Sequence, residues 1–126
     1  MSVRLTHTEK APAAVGPYSQ GAVVGNLLFT SGQIPLIPET GELVSDDIQK
    51  AARQSLENVK AIVENEGSNF NKAIKVNIFL SDMNNFAAVN EVYSEYFTDH
   101  KPARSCVEVA RLPKDALIEI EAIVEL

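Results

Sequence analysis

Between residues 46 and 80 the chain changes its hydrophobic period once, and that change constrains the fold more than any other feature. Ile48, Ala52, Leu56, Val59, Ile62 and Val63 recur at helical spacing across residues 46–66. They form one apolar stripe that has to rest against another layer. Ser45 or Asp46 is placed to cap the free N–H groups at its start, and Gly67 to end it in left-handed backbone. The run AIKVNIFL then alternates, with Ile74, Val76, Ile78 and Leu80 on one face and Lys75, Asn77 and Phe79 on the other. That is a half-buried strand. A one-sided helix followed by a one-sided strand predicts helices laid on a sheet.

The remaining segments extend this plan. In YSQGAVVGNLLFTSGQIPL two β-prone runs flank Gly25-Asn26, a hairpin turn, and IPETGEL reads as a loop with room for a short third strand. A second helix starts near Asp82 to Asn84, carries Phe86, Val89, Tyr93, Tyr96 and Phe97 on one stripe, and stops before Pro102, which biases Lys101 away from the α region. The closing stretch PARSCVEVARLPKDALIEIEAIVEL divides at RLPKD into two strands, read as a hairpin. Arg104, Cys106 and Glu108 share one face of the first, opposite Val107 and Val109. In the second, Ile118, Ile120, Ala122 and Val124 stand opposite Glu119, Glu121 and Ile123. With the apolar faces joined, Arg104, Cys106, Glu119 and Glu121 are expected on one side of the sheet. The order is an α+β sandwich: a mixed sheet with two helices on one face, in one domain over residues 1–126. The other face, with Phe79 and Ile123 among polar groups, stays uncovered in a monomer, which points to a closed homo-oligomer.

Charge and composition narrow the function. The chain has 11 basic and 17 acidic residues, net −6. Its Lys and Arg are scattered without interleaved aromatics, so nucleic-acid binding by counterion release is disfavoured. No apolar run approaches the ~20 residues of a membrane span, and the N-terminus lacks the apolar core of a secretory signal. The single cysteine, Cys106, excludes an internal disulfide, and a cytoplasmic location is expected. With only His7 and His100, a metal site is not expected. No glycine-rich nucleotide fingerprint, P-loop, HExxH, CxxC or GxSxG occurs.

Several residues carry candidate chemistry. Arg104 is either a strand-edge cation paired with Glu119 or Glu121, or a planar fork for a substrate carboxylate. Cys106 is a small filler, a nucleophile if a histidine comes near, or a residue whose backbone meets a ligand. Glu119 or Glu121, if covered, gains a raised pKa and acid–base capacity. Ser31, Gly32 and Gln33 form either a turn with glycine at positive φ or a set of polar groups beside closely approaching backbone. Tyr18 stands in a Gly/Pro-rich loop, where it either packs or lines a site.

The pieces APAAVGPYSQG, FTSGQIP, NVKAIVE and PARSCVEVARLPKDALIEIEAIVE resemble the Rid family (YjgF-type), most closely its RidA branch, over essentially the whole chain. The resemblance implies a chorismate-mutase-like fold, a homotrimer with a central barrel, and three clefts between subunits. It implies hydrolysis of enamine/imine intermediates, chiefly 2-iminopropanoate (from 2-aminoacrylate) and 2-iminobutanoate, to 2-oxo acids and ammonia, with no cofactor. Arg104 would bind the substrate carboxylate and the Cys106 backbone would meet the imine. Glu119 would position and activate water. Tyr18, Ser31 and Gln33 would line the cleft, with Asn90 a further lining residue. Lys101 departs from the pattern, standing where many members carry an aromatic residue or leucine, which bears on substrate preference. A trimer that senses 2-oxo acids or regulates a protein partner is the alternative. An endoribonuclease or translation inhibitor, also attached to the family, is opposed by the charge.

Overall fold

The computed structural model describes residues 2–126. Eight regular elements follow in order: β1 (Arg4–Thr6), β2 (Gly21–Val24), β3 (Leu27–Thr30), α1 (Ile48–Asn65), β4 (Ala73–Leu80), α2 (Phe86–Tyr96), β5 (Ala103–Glu108) and β6 (Ile118–Glu125). The strands form one sheet in the order β1-β2-β3-β6-β4-β5. All neighbours are antiparallel except β4 and β5. The α+β sandwich is therefore as expected, with the short β1 added at its edge.

Both helices bury their apolar stripes on one sheet face. Leu56, Val59, Ile62 and Val63 of α1 and Val89 and Val92 of α2 close over Leu28, Val76, Ile78, Ile118, Ile120 and Val124. Burial of this aliphatic surface is the main stabilising contribution. Gly25 turns the β2–β3 hairpin at φ 59° and Gly67 follows α1 at φ 79°. The cap of α1 is Asp47, one residue beyond the expected pair: its carboxylate accepts from the Gln49 and Lys50 amides.

Three expectations are corrected. The closing strands are not a hairpin, because β4 lies between β6 and β5. In the β4–β5 register Arg104 and Cys106 stand beside Val76 and Ile78 on the helix-covered face, while Glu119 and Glu121 stand beside Phe79 and Asn77 on the open one. Val107, expected in the core, is 46% exposed on that open face. Ile74 is likewise 46% exposed. A register shift between Ala73 and Lys75 in the β4–β6 ladder turns Ala73 inward instead, as a β-bulge does.

Candidate active site

The expected site residues separate into two groups, one on each side of the sheet. The first is built around Glu119. Beyond β3 the chain runs on beside β6, and Gln33 and Ile120 exchange backbone hydrogen bonds of 2.8 and 3.1 Å. This sets Gly32 under the Glu119 side chain. A Cβ on Gly32 would lie 2.7 Å from the carboxyl carbon of Glu119. A side chain at 32 would have to displace the Glu119 carboxyl, so the glycine leaves that carboxyl its place, and it has no positive φ. Tyr18, Ser31, Gly32, Gln33, Lys114 and Glu119 line a cavity of about 530 Å³.

Local hydrogen bonds shape this cavity. The Ser31 hydroxyl donates to the Ser19 carbonyl, and the Ser31 amide donates to Gln20 O at 2.8 Å. Gln20 is 2% exposed and its amide donates to the Thr8 and Pro12 carbonyls while accepting from the Thr8 N–H. It anchors the segment that leads into the Tyr18 loop. Neither its role nor the packing role of Gly32 was visible in sequence, because each depends on a partner that only the fold brings near. Tyr18 itself is half exposed, its hydroxyl accepting from the Val15 amide. Burial pushes the Glu119 pKa above the usual carboxylate value, and the nearby Glu121 charge adds to the shift. Glu121 is held by the Asn77 amide at 3.0 Å.

The second group surrounds Arg104. Its guanidinium donates to the Asn90 side-chain oxygen at 2.6 Å. It also lies 4.8 Å from the Tyr93 ring centre and 5.6 Å from that of Phe86, which holds the fork by cation–π contact. Among the described residues no carboxylate pairs with it, so the reading that paired it with Glu119 or Glu121 does not hold. Asn90, Tyr93, Ser94, Phe97, Lys101 and Arg104 line a second cavity of about 540 Å³. Cys106 is half-buried and packs against the core. Burial pushes its thiol pKa up, outweighing the Arg104 charge, so the thiolate is disfavoured. A larger groove of about 650 Å³ along α1 contains none of these residues, and its Lys10 and Lys60 are offset by Glu39, Glu57 and Glu64.

One open-faced α+β sheet with an unpaired arginine on one side and a desolvated carboxyl on the other defines a chorismate-mutase-like fold with a divided polar site. Residues 8–126 match the family model described as Endoribonuclease L-PSP. The chain is 59% identical over 119 residues to the 2-iminobutanoate/2-iminopropanoate deaminase of Escherichia coli K12, covering 92% of each. It is 55% identical to a RutC family protein of Pyrococcus abyssi, covering 98% of this chain and 97% of that one. Among solved structures, E. coli TdcF with bound serine superposes with TM-score 0.93 at 52% identity, covering 98% of both chains. The E. coli YjgF gene product does so with TM-score 0.92 at 54% identity, covering 97% of this chain and 98% of that one. The chain belongs to this YjgF/Rid family, on its RidA side.

Proposed function

We propose that the chain is an imine deaminase: it adds water across the C=N bond of small 2-imino acids and releases a 2-oxo acid and ammonia. The observation that carries this reading is Arg104, a fork fixed by Asn90 and Tyr93 and left without an acidic partner among the described residues. Such a fork suits a substrate carboxylate. Glu119 is the proton relay, since a carboxyl with a raised pKa exchanges its proton nearer neutral pH. Water attacks the iminium carbon and gives its proton to Glu119. The nitrogen of the resulting carbinolamine takes that proton, the C–N bond breaks as the hydroxyl gives its remaining proton to Glu119 and the C=O bond forms, and the departing ammonia carries that proton away as ammonium. An imine hydrolyses unaided, so orientation and one carboxyl are a sufficient catalytic contribution.

Because Arg104 and Glu119 lie on opposite faces of one sheet, the complete site needs a second copy of the chain. The exposed Phe29 and Val107 on the open face support a closed assembly, and the reading is a homotrimer with three clefts, each between two subunits. Tyr18, Ser31 and Gln33 enter from the Glu119 side, and Asn90 and the Cys106 backbone from the Arg104 side. The test couples purified protein to a threonine dehydratase and follows 2-oxobutanoate release against a semicarbazide trap. Wild type is expected to speed release, and Arg104→Ala to lose at least about a hundredfold in kcat/KM. If wild type binds 2-oxobutanoate without speeding release, the protein senses the ligand instead.

A further inference from the structure

Lys101 shares the Arg104 cavity, and the deaminase reading gives it no task. The segment that carries it is fixed. Pro102 follows it, the His100 ring meets the Ala73 carbonyl at 2.7 Å, and the Lys101 ammonium donates to the Thr98 carbonyl at 2.8 Å. Within one chain the cavity wall therefore presents two cations, Lys101 and Arg104, and none of that chain's own carboxylates lines it. Neither cation has an acidic partner among the described residues. In a chain of net charge −6 that concentration of unneutralised positive charge is local and specific. Tyr93 lines the same wall with its ring, 4.8 Å from the Arg104 guanidinium.

A monocarboxylic imino acid uses one cation, and Arg104 suffices for it. We infer that Lys101 is a specificity-determining residue that takes a second carboxylate, so that the site accepts the imines of acidic amino acids: 2-imino dicarboxylic acids of four or five carbons. The hydrolysis is unchanged: water adds at the imine carbon, the C–N bond breaks, ammonia leaves and a 2-oxo dicarboxylate remains, with no oxidant or reductant consumed. The reaction class that supplies such a substrate is oxidation of an acidic amino acid at its α-carbon.

This inference rests on the deaminase reading, so its test separates the two. Calorimetric titration of wild type, Lys101→Met and Lys101→Arg with 2-oxoglutarate and with 2-oxobutanoate measures binding without turnover. Wild type should bind 2-oxoglutarate more tightly. Lys101→Met should lose about three- to tenfold of that affinity with 2-oxobutanoate unchanged, and Lys101→Arg should keep it. In parallel, imines generated from L-glutamate and from L-2-aminobutyrate by amino-acid oxidases are followed with semicarbazide. The kcat/KM for the dicarboxylic imine should fall in Lys101→Met and that for the monocarboxylic imine should not. Equal losses on both ligands overturn the inference. Turnover of the monocarboxylic imine alone overturns it while the deaminase reading stands, and turnover of neither overturns both.

Discussion

Glu119 is desolvated by the cavity that holds it and repelled by Glu121 two residues on. Both effects favour the protonated carboxyl in the folded chain. Between its unfolded pKa and the raised folded one, the native state binds more protons than the unfolded state. Stability attributable to this group therefore falls as pH rises through that interval and stays lower above it. Glu119→Gln keeps the shape that rests on Gly32 and removes the ionisation. The variant is expected to melt higher than wild type at neutral pH and alongside it below about pH 4, where model carboxyls are protonated. Thermal melts across pH read this directly, and an advantage equal at every pH would show that the raised pKa is not its origin. The same substitution should abolish the proton relay, so stability and activity move in opposite directions.

At the scale of elements, the helices position the site by what their polar residues hold. Asn58 sits within the buried stripe of α1 at 1% exposure. Its amide donates to Leu36 O at 2.9 Å and Ile34 O at 3.3 Å, while its oxygen accepts from Gln54. It thereby fixes the 31–36 segment that walls the Glu119 cavity. Asn58→Leu keeps the volume and strands the Leu36 carbonyl, so a loss of about 1–3 kcal/mol is expected in urea unfolding. Elevated KM at retained kcat should accompany it, as the cavity wall loosens. Asn58 also marks the limit of what the sequence discloses. The stripes of α1 and α2, the hairpin at Gly25 and the alternation of β6 and of β4 from Val76 onward are local patterns, and all were legible; the bulge that turns Ile74 outward was not. Strand order is not local. β5 and β6 adjoin in sequence, but β4 takes the place between them, and the register of β5 on β4 puts Arg104 and Cys106 on the opposite face from Glu119. The Arg104 edge strand was ambiguous because neither of its faces is strongly apolar, so alternation did not determine which one turned inward. Motif resemblance supplied the candidate site residues, while their division between two faces was not legible.

At the scale of the whole molecule, that division makes a quantitative demand. If each cleft of a trimer takes Arg104 from one subunit and Glu119 from its neighbour, two inactive variants can repair each other. Arg104→Ala subunits still carry an intact Glu119, and Glu119→Gln subunits an intact Arg104. Either homotrimer alone has three dead clefts. In trimers reassembled from an equal mixture, a cleft works only when the Glu119→Gln subunit supplies the arginine and the Arg104→Ala subunit the carboxyl, so about one quarter of wild-type activity should return. Co-refolding the variants in varied ratios should trace a curve with its maximum at equal proportions, since the productive pairing needs one of each. Light scattering on the same samples should give about three times the 13.7 kDa chain mass for every species, so that changes in activity cannot come from changes in assembly. Homotrimers mixed without unfolding should stay inactive for as long as subunits do not exchange. Absence of recovery in properly assembled mixed trimers would place both groups in a cleft built by one chain, which the opposite faces of the sheet do not allow without a rearrangement of β5. A recovered quarter would instead make the uncovered sheet face and the catalytic site two consequences of one assembly: burying the first completes the second.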